Sequence, residues 1–323
     1  MPLATGTEAE SKTDERDEAP KGLLARALDS DILHSFLRSK ITIVSAIVTL
    51  AFLLGAALAP WIAPHDPFDL ASLSILDSQL PPVGLDGADP RYLLGTDDQG
   101  RDILSGILYG ARISLAVGFV SVAFAAVVGV LLGLIAGYVG GKVDALIMRI
   151  AEVQLTFPAI LIALLVDGVA RAVFGNLDRE RFAFWILVFS IALSFWVQFA
   201  RTVRGSTLVE RNKEYVQAAR LIGIPPFLIM VRHVLPNVVG PVLVIATINL
   251  GLAIITEATL SFLGVGIPPT QPSLGTLVRI GNDFLFSGEW WIAMFPGLAL
   301  AILVLAVNLL GDWLRDALNP KLR

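Results

Sequence analysis

The sequence predicts an all-α polytopic membrane protein with six transmembrane helices and both termini on the cytoplasmic side. Three observations carry this expectation. Of the 323 residues, 55% are hydrophobic and 16% charged, with a mean hydropathy of +0.73; a chain that apolar has too few polar groups to coat a soluble fold. Five runs are free of charged residues and long enough to cross a hydrocarbon core of about 30 Å, which takes about 20 residues. Lys and Arg also divide unevenly between the two sides that six crossings define. The absence of cysteine excludes a disulfide framework, a thiolate metal site and a cysteine nucleophile.

Residues 1–20, "MPLATGTEAESKTDERDEAP", are polar and charged without an apolar stretch, which reads as a disordered cytoplasmic tail rather than a cleaved signal peptide. Residues 21–63 hold an amphipathic helix and the first span. Leu24, Leu28, Ile32, Leu33, Phe36 and Leu37 share helical spacing suited to the membrane surface, and Ile41–Ala63 is the span. Residues 64–111 form an extracytoplasmic loop, and residues 112–312 hold the other five spans. These are Ile113–Gly141, Asp144–Val166, Phe182–Ala200, Val234–Thr256 and Trp290–Gly311. The third is the weakest, because Arg149 and Glu152 interrupt its cytoplasmic third and residues 153–166 alone are too short. It is counted because its omission would put the basic 201–233 segment on the opposite side from the basic N-terminal segment. Residues 264–289 are a second outer loop, irregular in part, and residues 313–323 a cytoplasmic tail. With this topology seventeen Lys and Arg lie on the side of the termini and seven on the other, so the termini face the cytoplasm.

The segment "RNKEYVQAARLIGIPPFLIMVRHVLPN", Arg211 to Asn237, interrupts the spans with two short helices. Asn212 suits an N-cap and Glu214 the first turn. Ala218 and Ala219 leave a low-relief surface, Gly223 suits a left-handed helix end, and Pro225-Pro226 suits the first turn of a second helix that ends near Val234, before Pro236 opens the next span. The result is an L exposed to the cytoplasm, able to receive a push from a docking partner. An amphipathic loop resting on lipid headgroups is the other reading.

On these residues, "QAARLIGIPPFLIMVRHVLP" resembles the EAA signature of permease subunits of binding-protein-dependent ABC importers. That signature reads Glu-Ala-Ala, three residues, Gly, nine residues, Ile, one residue, Leu-Pro. Ala218, Ala219, Gly223, Leu235 and Pro236 match at the right spacing, while Gln217 stands for the acidic residue and His233 for the isoleucine. "LLGTDDQGRDILSGILYGARISL" (Leu93–Leu115) and "EATLSFLGVGIPPTQPSLG" (Glu257–Gly275) are similar to segments of the dipeptide and oligopeptide branch. The resemblance covers most of residues 30–323. It implies a type I importer fold in a bacterial inner membrane, a second homologous permease subunit, two ATP-binding subunits that hold ATP and magnesium, and an extracytoplasmic substrate-binding protein. The segment 212–234 would supply the coupling helices, with Gln217, Ala218, Ala219, Gly223, Leu235 and Pro236 at the ATPase contact. The cargo of that branch is di- or oligopeptides, with nickel chelates, glutathione or opines in related permeases.

Other residues have competing readings. Gly129, Gly133, Gly137 and Gly141 recur every fourth residue, a stripe for close helix packing or, alternatively, for a substrate groove. Glu257 lies late in the fifth span, where an ionisable group is costly; a pathway or gate position, a partner contact and a partly hydrated interfacial site are all open. "DDQGRD" (Asp97–Asp102) lacks EF-hand spacing, and Asp98 reads better as a cap for a helix near Gly100 than as a metal ligand. His34, His65 and His233 form no catalytic or metal pattern. "GYVGGKVD" has Ala136 where a phosphate-binding loop needs its first Gly and Val143 where it needs Ser or Thr. The expectation is a transport subunit rather than an enzyme, with no catalytic residue, cofactor or metal of its own and lipid but no nucleic acid among its partners. An intramembrane enzyme would need a facing catalytic pair that the sequence does not offer, and an ungated channel would not need the L.

Overall fold

The computed structural model describes residues 31–69 and 73–317. The expected tail (1–20), the start of the amphipathic segment (21–30) and residues 318–323 lie outside them. Helix α1 (Asp31–Arg38) is the described part of the amphipathic segment, and Phe36 meets Trp313 edge-on with ring centroids 5.1 Å apart. Ser39 then caps α2 (Lys40–Ala57) by accepting the Thr42 N–H at 3.3 Å. This first span ends earlier than expected. Pro60 cannot donate a backbone hydrogen bond, so the chain restarts as one further turn, α3 (Ala59–Ile62).

Helix α4 (Ile103–Val139) begins well before the expected Ile113. Asp102, not Asp98, is its cap: the carboxylate accepts the Ser105 N–H at 2.9 Å and the Ser105 hydroxyl at 2.5 Å. The outer loop therefore ends at 102 rather than 111. A helix of 37 residues is about 55 Å long, so it projects past the hydrocarbon and carries Arg112 with it. Gly140 and Gly141, both at positive φ (+72° and +58°), turn the chain into α5 (Gly141–Leu155).

The third span is broken rather than straight over Asp144–Val166. Helix α5 and the first part of α6 (Ala159–Glu210) meet at 94°. Pro158 disfavours helical backbone at Phe157 and lacks the N–H that would continue the ladder. Helix α6 is helical over 52 residues, which as a straight rod would be about 78 Å. Yet Gln154, just ahead of it, donates to the Leu193 carbonyl and accepts the Trp196 indole N–H at 2.7 Å, and residues from Val166–Val173 and Phe182–Phe189 line one groove. Helix α6 therefore doubles back within its own length, and its last part, Phe182–Glu210, is the fourth span.

After α7 (Glu214–Leu221) and α8 (Pro226–Ile229), a π-helical turn (Met230–Val234) runs into α9 (Leu235–Phe262). Within the second outer loop lies a helix the sequence reading did not specify, α10 (Leu274–Phe284), capped by Ser273, which accepts the Thr276 N–H. It is pressed between its neighbours: a side chain at Gly275 would meet the Ala258 carbonyl oxygen at 2.4 Å, and one at Gly281 the Ala293 nitrogen at 2.3 Å. Helix α11 (Trp291–Ala317) runs past Gly311, so the tail expected from 313 begins as helix. Among the described residues, five helices are long and apolar enough to cross a membrane, and the bent pair makes a sixth crossing if counted as one span.

Helices α4, α6 and α9 share one core around Val117, Ile191, Phe199 and Leu260. Helices α2, α4, α9, α10 and α11 share a second around Ile103, Leu115, Ile254, Leu274 and Leu303. At the outer-loop end, the Trp291 indole donates to the Thr96 carbonyl at 3.3 Å, and Arg101 donates to the Pro269 carbonyl at 3.2 Å, which ties the segment before α4 to the region of α10 and α11.

Candidate functional site

The candidate site is the L at residues 211–237. Its first arm, α7, begins at Glu214 with Lys213 in the N-cap position and no side-chain cap. Asn212 is not the cap, because its side chain donates to the Leu208 carbonyl at 3.0 Å and so closes the preceding helix. Gln217 reaches back to the Asn212 carbonyl at 3.0 Å, a bond that an acidic residue at this position could not donate. At the corner, Gly223 has φ +82°. The Ile224 N–H donates to the Ala219 carbonyl and the Gly223 N–H to the Arg220 carbonyl, both at 3.1 Å. These two bonds with a left-handed glycine make a Schellman end, which satisfies carbonyls that the terminated helix leaves open.

The second arm differs from expectation. Instead of a separate helix stopping before Pro236, α8, the π turn and α9 run on without a break. Leu235 donates to the Met230 carbonyl, five residues back. That wider turn offers room for the Pro236 ring, which in a regular helix would crowd the carbonyl four residues earlier. The second arm is thus the end of the fifth span itself, and a push on it moves α9 directly.

Ala218 and Ala219 face opposite ways. Ala218 is exposed, but Ala219 is buried in a cluster with Val216, Ile229, Val234 and Val238 that packs on Leu134 of α4 and Val203 of α6, with Leu235 at its edge. Only Ala218 belongs to an outer surface. What the L presents outward at its corner is apolar: Leu221 is 89% exposed, Ile222 76% and Phe227 71%. The alanine pair drew attention in the sequence, while these three residues are the large exposed surface; their place beside a glycine-proline corner was the available signal.

The L is keyed to the spans by polar contacts. Arg211 donates to the Gly137 carbonyl at 2.8 Å, placing a cation on the C-terminal end of α4, where it is favoured. The Arg220 guanidinium sits over the Tyr138 ring, 4.9 Å from its centroid, and donates to its hydroxyl at 3.2 Å. Glu210 accepts from Lys213 at 2.7 Å and from the Tyr215 hydroxyl at 2.5 Å, while Asn237 donates to the Tyr215 oxygen at 3.2 Å. Burial first and the Glu210 carboxylate second push the Tyr215 hydroxyl up to about 12, so it stays a donor at any physiological pH. Beside these, Arg204 of α6 holds Asp144 of α5 through two bonds of 2.5 and 2.7 Å.

Three of the four stripe glycines do pack helices. A side chain at Gly129 would meet Phe199 Cβ and the Trp196 carbonyl oxygen at 2.5 Å, at Gly133 the Ala200 carbonyl oxygen at 2.6 Å, and at Gly137 Thr207 Cβ at 2.7 Å. Gly141 does not belong with them. Nothing lies within 4 Å of its position, and its φ of +58° marks the turn between α4 and α5.

Glu257 is fully buried, at 0% exposure, so the partly hydrated position considered for it is not the one it occupies. It accepts the Ser114 and Ser261 hydroxyls, each at 2.7 Å. Ser114 in turn accepts the Leu274 N–H at 3.2 Å and Ser261 the Ile267 N–H at 3.3 Å. The carboxylate therefore sits at a junction of α4, α9 and the start of α10, and its geometry supports packing. In the loop ahead of α4, Asp97 accepts the Gln99 N–H at 2.8 Å and the Arg101 N–H at 2.9 Å. Burial outweighs those bonds and pushes its carboxyl up to about 6.

A bundle of broken and long spans with a keyed L is the architecture of a transport permease, and the comparisons agree. The family described as binding-protein-dependent transport system inner membrane component matches residues 129–323, and the N-terminal TM domain of oligopeptide transport permease C matches residues 30–82. The chain belongs to the binding-protein-dependent transport permeases. Among its relatives, the di/tripeptide transport system permease protein DppC of Pseudomonas aeruginosa is 37% identical over 90% of this chain and 91% of its own length. The dipeptide transport system permease protein DppC of Haemophilus influenzae is 39% identical over 86% and 91%, and the glutathione transport system permease protein GsiD of Pectobacterium atrosepticum is 37% identical over 89% of each chain. The solved inward-facing MetNI methionine ABC transporter has a chain that superposes with a TM-score of 0.53 at 21% identity, over 67% of this chain and 98% of that one. That likeness shows the fold.

Proposed function

We propose that this chain is one of two permease subunits of an ATP-driven importer that carries short peptides across a bacterial inner membrane, with the L and both termini in the cytoplasm. The observation that carries the reading is the L itself: an exposed apolar corner of Leu221, Ile222 and Phe227 on an element keyed to α4 and α6 and continuous with α9. An exposed apolar corner marks a protein or membrane contact, and the contact we assign to it is an ATP-binding subunit, because the sequence carries no phosphate-binding loop of its own. ATP and magnesium belong on that partner, and Gln217 and Ala218 flank the contact, with Gly223 setting its angle. Closure of two ATP-binding subunits would pull the corner, and α9 would carry the displacement into the membrane as alternating access. The peptide cargo rests on the two DppC relatives and on the peptide nature of glutathione in the third.

The test is co-purification of the tagged chain from membranes in mild detergent, with mass spectrometry of its companions. Recovery of a second permease and of ATP-binding proteins is expected. Phe227→Asp should release the ATP-binding proteins while the chain stays inserted and keeps its permease partner. Ala219→Arg is unsuitable, because that side chain lies in the packed cluster and its loss of binding would report misfolding. Recovery of a homo-oligomer alone, or retention of ATP-binding proteins by Phe227→Asp, would contradict the docking role.

A further inference from the structure

The L has two soft points. At its corner Gly223 holds a φ of +82°, and nothing lies within 4 Å of the place where a side chain would begin, so no packed neighbour fixes the angle there. In the second arm the turn Met230–Val234 is π-helical, a wider winding than the regular helix and one frequent at functional sites. A push on Leu221, Ile222 and Phe227 reaches α9 only if the two arms keep their angle. Two arms on a free pivot would fold together instead.

A run of side-chain hydrogen bonds bridges both soft points. Glu210 is the last residue of α6, Tyr215 lies in the first turn of α7 and Asn237 in the first turn of α9. The Tyr215 hydroxyl donates to Glu210 at 2.5 Å, and Lys213 donates to the same carboxylate at 2.7 Å. With its one proton so committed, the Tyr215 oxygen is an acceptor, and the Asn237 side-chain amide donates to it at 3.2 Å. That amide also donates to the carbonyl of His233, inside the π turn, at 2.7 Å. Both neighbours of the amide are acceptors, which fixes the way it points. Glu210 is only 9% exposed and its bond to Tyr215 is charge-assisted, so water competes poorly at this link. The run joins the far end of the first arm to the far end of the second and gives the L a third side. Three joined sides hold an angle that two sides alone do not.

We propose that Tyr215 is a positioning residue for the coupling of ATP hydrolysis to transport: its hydroxyl ties both arms of the L to the end of α6. Displacement of the corner is then delivered to α9 rather than absorbed at Gly223 and the π turn. The proposal rests on the importer reading above. Val216, Ala219, Ile229 and Val234 fill the space between the arms, and the test separates their part from that of the strut.

Tyr215→Phe removes the hydroxyl and keeps the ring, which is partly exposed, so packing changes little. In proteoliposomes containing the complete importer and its binding protein, dialanine uptake and ATP hydrolysis are measured on the same preparation, wild type first. Tyr215→Phe should lower uptake about fivefold, the worth of about one hydrogen bond, while ATP hydrolysis continues at the wild-type rate and more ATP is consumed per dialanine. Asn237→Ala should also lower uptake at unchanged hydrolysis. The double variant should be no worse than Asn237→Ala alone, because both substitutions cut one strut. Tyr215→Phe uptake equal to wild type would show that the apolar cluster alone sets the angle, and overturns the proposal. Uptake and hydrolysis that fall in step would show lost docking or lost fold, and losses that multiply in the double variant would show two independent contacts; either result overturns the strut. A wild-type complex that hydrolyses ATP but carries no dialanine overturns the peptide-importer reading and this proposal with it.

Discussion

Helix α6 meets α4 on one side and α5 on the other, and the two contacts are built in opposite ways. Toward α4, Gly129, Gly133 and Gly137 remove the side chains of α4 from the seam, so that its backbone lies against Phe199, Ala200, Val203 and Thr207 of α6 and no room remains. Toward α5, Pro158 breaks the helix, the two pieces part at 94°, and an apolar groove with open charges is left. Close packing of small residues is how helices associate without a hydrophobic driving force between them, so the α4 seam is finished within this one chain. The α5 side is unfinished by the same standard, because the groove beside the break stays open within this chain. Rigidity and opening are thus assigned to opposite faces of one helix.

The largest expected effect breaks the closed side. Gly129→Val would put atoms within 2.5 Å of the Trp196 carbonyl oxygen and Phe199 Cβ, where backbone cannot yield, and should cost at least about 3 kcal/mol. The check is the melting temperature in detergent, and an unchanged value would mean that the seam is not tight. Next comes the loop ahead of α4. Asp97 titrates near 6 in the folded chain and near 3.9 when unfolded, so the folded state holds its proton more tightly. Between about pH 4 and 6 the unfolded state binds fewer protons, and stability falls as pH rises, by up to about 3 kcal/mol in total. Asp97→Asn should remove this dependence and be the more stable protein at pH 7; parallel melting curves of the two proteins from pH 4 to 7 would refute it.

A smaller effect is expected at the Ser114–Glu257–Ser261 junction. Glu257→Gln turns one accepting oxygen into a donor facing a serine that already donates, and should cost about 1 kcal/mol with uptake largely preserved. Loss of uptake at unchanged stability would instead move Glu257 onto the pathway. The smallest effect tests the open side: Leu165→Ala, at a largely exposed groove position, should change stability by no more than about 0.5 kcal/mol. A loss of several kcal/mol there would show that the groove is closed in the folded chain.

How far the L could be read from sequence differs by residue. Gly223 was legible because a left-handed helix end has few alternatives to glycine, and the Pro225-Pro226 pair because proline suits a first turn. Asn212 was misread as a cap because its side-chain amide can either accept a backbone N–H ahead of it or donate to a carbonyl behind it, and the end of α6 presents the Leu208 carbonyl. Ala219 was misread because α7 is short and its inward face is set by Leu134 and Val203, distant in sequence. Helix α10 went unspecified among the prolines and glycines of residues 264–289, although Ser273 followed by Leu274, Leu277, Val278 and Gly281 holds helical spacing. Its glycines serve contacts with α9 and α11 that composition alone does not reveal.

By itself, then, the sequence determined what depends on solvent and on local backbone chemistry: which segments enter lipid, which end carries positive charge, where glycine and proline turn the chain, and the motif that resembles the permease family. Tertiary structure decided which side of each helix is closed. Gly137 and Gly141 are alike in spacing, yet one lies against Thr207 and the other in an open turn. Glu257 and Glu152 are alike as charges in apolar surroundings, yet one is enclosed by two serines and the other stands open beside a groove. The physical reason is that burial at each position depends on which helix lies opposite, and within a membrane every helix is apolar enough that pattern alone does not name its neighbour.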